Sequence, residues 1–72
     1  MSIHSGDVVL LDSRAAAAFA AHPMVYLAER VESDHDRPGW AWLDGYELDS
    51  TGKALDRREV YVYTEELARA QL

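Results

Sequence analysis

The chain has 72 residues, no cysteine, and thirteen acidic against seven basic side chains, for a formal charge of −6. This length supports one hydrophobic core, so a single domain over residues 1–72 is expected, and the charge has the wrong sign for direct nucleic-acid binding through counterion release. The missing cysteines exclude disulfides, thiolate zinc sites and thiol nucleophiles, and fit a reducing, cytoplasmic setting.

Residues 1–7 lack the basic start and apolar stretch of a secretion signal, and no apolar run approaches membrane-spanning length, so neither export nor a membrane is expected. Ser5-Gly6-Asp7 supplies turn residues before Val8-Val9-Leu10-Leu11, a short apolar run that reads as a strand buried on both faces. Asp12 and Ser13 are good N-caps for an alanine-rich helix of about two turns over Arg14–Ala21, stopped by Pro23 and anchored by Phe19. From Met24 to Glu32, Val25, Leu27 and Val31 share one parity while Arg30 and Glu32 take the other, the alternation of a half-buried strand. Ser33 to Gly39 collects turn formers and charges, which predicts a hairpin. Trp40–Leu48 is the third strand, with Gly45 available for a bend or bulge. Asp49-Ser50-Thr51-Gly52-Lys53 reads as a tight hairpin loop. Arg58–Tyr63 alternates valines with tyrosines as a fourth strand. Thr64 then caps a short final helix, with Glu65 and Glu66 at its positive end, Arg69 near its negative end, and Leu67, Ala70 and Leu72 against the core.

Short strands joined by tight reversals in so few residues predict a mostly β domain, a small bent antiparallel sheet or partly open barrel carrying a short helix after strand one and another at the C-terminus. The opening strand Gly6–Leu11, an irregular excursion and a meander of three strands resemble the layout of SH3-like small barrels. The resemblance implies a fold and no particular binding residues. A small α+β fold, with a helix against a curved sheet, is the alternative.

Asp34-His35-Asp36 places an imidazole between two carboxylates, a donor set that suits a divalent cation. A solvated hairpin tip next to Pro38-Gly39 explains the same residues, no second ligand cluster accompanies them, and no metal or cofactor is expected. The serines sit in caps and turns, and the four glycines fall one to each reversal or bend, so neither a nucleophilic triad nor a phosphate loop is indicated. Paired carboxylates could perform acid–base chemistry, but thirteen acids in one short chain produce such pairs by chance.

The most informative set is aromatic: Tyr26, Trp40, Trp42, Tyr46, Tyr61 and Tyr63, concentrated on strands two to four. If Val60 and Val62 face the core, the pleat sends Tyr61 and Tyr63 outward. Acids cluster nearby, with seven between Glu29 and Asp49 against Arg30 and Arg37, so this segment carries −5 of the total −6. The expectation is a non-catalytic interaction module or small accessory protein, binding a protein partner with a basic patch through the six aromatic residues rimmed by Asp34, Asp36 and Asp44. The alternative is a structural homo-oligomer using the aromatic face as its subunit interface. An acidic mimic of nucleic acid and a small enzyme stand behind both. Abundant alanine and a single lysine, Lys53, suit a GC-rich bacterial genome.

Overall fold

The computed structural model describes residues 2–70. Five strands, β1 (Val8–Leu11), β2 (Met24–Ser33), β3 (Trp40–Leu48), β4 (Ala54–Tyr63) and β5 (Ala68–Arg69), form one sheet in the order β4-β3-β2-β1-β5. Every pairing is antiparallel and the sheet does not close on itself. The mostly β expectation holds, and the order is consistent with the SH3-like layout. Among the described residues no helix is long and apolar enough to cross a membrane.

The inner face of the bent sheet holds the core: Val9 and Leu11 from β1, Tyr26 and Ala28 from β2, Ala41 and Leu43 from β3, and Val60 and Val62 from β4. Ala15 and Leu67 close its ends, while Ile3, Phe19, Met24 and Val31 pack around it. Val60 and Val62 face inward and Tyr61 and Tyr63 outward, as their alternation predicts. Val8 and Leu10 are only partly buried, so β1 is covered fully on one face and not on both.

The alternation read along β2 differs from the one that forms. Tyr26 and Ala28 are fully buried while Val25 and Leu27 lie on the outer face, yet Val31 packs against the core. The pairing explains the change of phase: Ala28 faces Gly45 and Arg30 faces Asp44, leaving Glu29 unopposed as a β-bulge. Gly45 makes that bulge possible. A Cβ built there would fall 1.9 Å from the Leu27 carbonyl oxygen and 3.1 Å from the Glu29 nitrogen, so the two backbones approach closer than any side chain permits. The N-terminal segment fastens the same point, with Gly6 N donating to Ala28 O at 2.7 Å and the Ser5 hydroxyl to Glu29 O at 2.6 Å.

Neither expected helix forms as the alanine content and capping residues suggest. Between β1 and β2 only Ala17–Phe19 is helical, a single 3-10 turn. Asp12 gathers the preceding residues into a turn, its carboxylate accepting from Arg14 N and its carbonyl from Ala15 N, both at 2.9 Å. Ala15 is fully buried and its carbonyl accepts from Tyr63 N at 2.7 Å, and Ala16 is extended, with φ −168° and ψ 151°. A bond to β4 and a buried methyl group therefore outweigh helix propensity, which amounts to only a few tenths of a kcal/mol per residue. After β4, Thr64 closes a turn rather than capping a helix, Leu67 enters the core, and Ala68–Arg69 pair with β1. A strand covers the free edge of β1 where a helix would have left it open. Leu72, also expected against the core, lies outside the described residues.

Replacing Gly45 by alanine forces the Leu27 carbonyl out of its position and should cost at least about 3 kcal/mol of stability, or prevent folding. Urea unfolding of Gly45→Ala against Gly52→Ala, which changes a hairpin loop distant from the bulge, checks that the effect arises at the bulge.

Candidate functional site

Cross-strand register sorts the outer face into three zones. One end is aromatic, where Trp40 faces Tyr63 and Trp42 lies between Glu32 and Tyr61. A charged row follows, with Arg30, Asp44 and Glu59 side by side. The far end is aliphatic, formed by Val8, Leu10, Val25, Leu27 and Leu48, beside Tyr46 and Arg57.

The aromatic zone is a packed array. Trp40 stacks on Tyr61 with ring centres 5.1 Å apart and planes inclined by 24°, Trp42 tilts against Tyr61 at 4.7 Å, and Trp40 meets Tyr63 at 5.7 Å. Arg37 places its guanidinium 4.2 Å above the Trp40 ring and 5.5 Å from that of Tyr61. Each phenol is anchored at its hydroxyl: Tyr61 donates to Asp34 Oδ2 at 2.5 Å and Tyr63 to Glu65 Oε2 at 2.9 Å. Tyr63 rests against Gly39, whose φ of +87° and bare Cα let the ring lie where a Cβ would come within 2.7 Å of it. Within this array Trp42 stays 45% exposed, one of two large apolar side chains so open among the described residues.

Of the six aromatic residues singled out from the sequence, Trp40, Trp42, Tyr61 and Tyr63 come together. Tyr46 is separated from them by the charged row, and its hydroxyl accepts from Arg57 Nη1 at 3.1 Å while the guanidinium sits 5.4 Å from its ring. Tyr26 does not belong to the face. It is fully enclosed on the inner side, and its hydroxyl reaches across β3 to donate to Arg58 O at 2.7 Å. The one-residue bulge that sets the phase of β2 places it there.

The three acids also have different places. Asp34 joins the array through Tyr61 and also accepts from Asp36 N at 2.9 Å. Asp36 is exposed at the hairpin tip. Asp44 stands in the charged row, paired with Arg57 Nη2 at 2.7 Å. Asp34, His35 and Asp36 do not converge, and among the described residues no three His, Asp or Glu side chains are placed to share a metal ion. Ile3, Val31, Asp34, Gly39, Trp40 and Thr64 border an open cleft of about 350 Å³ beside this hairpin.

Arg37, Glu32 and Glu59 belong to the site without having been singled out. Glu32 and Glu59 flank Trp42 in a small polar hollow with Arg30 and Asp44. Pairing Glu32 with Trp42 follows once the hairpin register is known, so turn length was the usable signal. Nothing in a turn rich in charges distinguishes Arg37 from its neighbours.

The Tyr61 hydroxyl, ahead of Asp36 N, holds the Asp34 carboxyl below the ordinary aspartate range. Burial, and then Asp34 itself, pushes the Tyr61 phenol up. The hydrogen bond to Glu65, ahead of burial, does the same for Tyr63. Tyr26 is pushed up to about 12, chiefly by burial.

Comparison of the chain with family models, with curated proteins and with solved structures gave no match.

The direction of each shift fixes how stability depends on pH. A depressed Asp34 pKa stabilises the fold above the unfolded value of 3.8, and that contribution is lost as pH falls through the folded value. Tyr61→Phe removes the largest cause, so the Asp34 carboxyl should titrate closer to 3.8 and the acid loss of stability should shrink. Carboxyl chemical shifts and denaturant midpoints between pH 2 and about 5 measure both. Tyr26, raised from 10.0 to about 12, stabilises the fold fully below pH 10 and ceases to do so as pH climbs through 12. Tyr26→Phe should remove that alkaline dependence, read as the denaturant midpoint against pH.

Proposed function

We propose that the chain is a non-catalytic interaction module that binds a protein partner through Trp40, Trp42, Tyr61 and Tyr63. The observation that carries this reading is the exposure of Trp42 at the end of an array whose other members are each fixed by stacking, a hydrogen bond or Arg37. Rings held in this way lose little freedom on binding, so more of their buried area becomes affinity. Glu32, Asp34, Asp36, Glu59 and Glu65 surround the array and select a partner whose matching surface is basic. The cysteine-free composition supports a cytoplasmic setting for the contact.

Affinity capture from the source organism identifies the partner, and the purified pair then provides the test. Trp42→Ala should weaken binding by more than about 1 kcal/mol, mainly through faster dissociation. Neutralising Glu32 and Asp36 together should slow association and flatten its dependence on salt, leaving dissociation nearly unchanged. Equal affinity of the Trp42→Ala and wild-type domains for the captured protein would remove the aromatic array from the contact. Competition by duplex DNA for the same partner surface would turn the reading toward mimicry of nucleic acid.

A further inference from the structure

At one side of the sheet, β4 is an edge strand ten residues long, paired only with β3. Its first six residues, Ala54 to Glu59, are all exposed. Long uncovered edges present unpaired backbone donors and acceptors, and proteins either blunt them or use them for pairing. Charges at Asp56, Arg57, Arg58 and Glu59 and an unopposed residue at Leu55 resemble blunting. Their order has another property. Tyr63 N points away from β3, donating to Ala15 O. Since β4 pairs with β3 without interruption from Asp56 to Tyr63, Tyr61, Glu59 and Arg57 turn their backbone groups to the same free side.

A second β4 running antiparallel along that edge must place these odd-numbered residues opposite one another. Centring the two-fold axis on Arg57 leaves Glu59 opposite Leu55 of the other copy, and centring it on Glu59 sets glutamate against glutamate. Centring it on Arg58 places Arg57 of each copy opposite Glu59 of the other, two opposite-charge pairs on the outer face. Glu59 has no hydrogen bond or ion pair among the described residues, so this register gives it a partner. The two Arg58 side chains meet at the axis, each already held by Glu47 at 2.8 Å, with Asp56 at 3.9 Å. Leu55, 55% exposed, is carried toward Tyr61 of the other copy, beside the exposed Trp42. The Ala15 contact at Tyr63 ends the free edge, which confines the pairing to Leu55–Tyr61.

We infer that two copies of this chain pair through their β4 edges, antiparallel about Arg58, with Arg57 of each opposite Glu59 of the other, joining two five-stranded sheets into one. The paired edge includes Glu59 and Tyr61, which also belong to the surface proposed for the partner, so the two contacts compete there, but the inference rests on the strand edge and its charges and not on that reading. Sedimentation of the wild-type chain at rising concentration should show a monomer–dimer equilibrium. Glu59→Arg and Arg57→Glu should each raise the dimer dissociation constant about tenfold or more, because like charges then face each other twice. Mixing the two variants should restore a dimer containing one chain of each, since both pairs become complementary again. Glu59→Pro removes an outward N–H together with the carboxylate and should also yield a monomer, with circular dichroism confirming the strands. A wild-type monomer at hundreds of micromolar, a dimer that survives Glu59→Arg and Glu59→Pro, or two folded charge variants that fail to associate when mixed would each overturn the inference.

Discussion

The approach of β2 to β3 at Gly45 decides which side of the sheet is inside. With no Cβ at that position, Leu27 and Glu29 come close enough for one residue to bulge, and the facing of every later residue in β2 reverses. Before the bulge Tyr26 and Ala28 point inward, and after it Val31 does. The same reversal sends Arg30 and Glu32 outward, beside Asp44 and Trp42. Without it, Val31 would leave the core and Glu32 would enter it. A small domain has few inward positions to lose, and each well-buried aliphatic side chain contributes about 1.5–3 kcal/mol.

The outer aromatic array depends on that core indirectly, through segments far apart in the chain. Tyr63 is seated on Gly39 and bonded through its nitrogen to Ala15, while Thr64 bonds the Gly39 carbonyl with both its nitrogen and its hydroxyl. Asp34 and Arg37, from the turn before β3, fix Tyr61 and Trp40. Three connections therefore meet at one end of the sheet and hold rings that face solvent. This arrangement separates the two roles of β4: its valines stabilise the fold and its tyrosines form a surface.

Much of this was legible in the sequence where side-chain period and turn chemistry agree. The limits of β3 and the opposed faces of Val60, Val62, Tyr61 and Tyr63 followed from alternation, and the hairpins from Pro38-Gly39 and Gly52. The phase of β2 was not legible, because Val25, Leu27 and Val31 look like one face until an unopposed Glu29 separates them. Both helices were misread for one reason. Local preference favoured them, but Ala15 gains more from burial and its bond to β4, and the last segment more from burial of Leu67 and pairing of Ala68–Arg69 with β1, than a single helical turn could offer. Of the aromatic set, Trp40, Trp42, Tyr61 and Tyr63 come together on the outer face. Tyr26 was misplaced by the bulge and Tyr46 by distance along the strand, neither of which composition reveals.

The pairing of β5 with β1 has a consequence for how the chain reaches this structure. Ala70 N bonds Val8 O, and Arg69 reaches Asp7 with an ion pair at 3.1 Å, so residues about as far apart as this chain allows become neighbours. Strands β2, β3 and β4 are joined by short turns and can assemble from local encounters, whereas the clasp between β1 and β5 must close a loop of nearly the whole chain. Loop closure costs entropy before its few contacts form, so the topology makes this clasp the most expensive contact to form first and favours the hairpins ahead of it. Leu67 sits one residue before β5, so pairing that strand with β1 and seating Leu67 in the core go together.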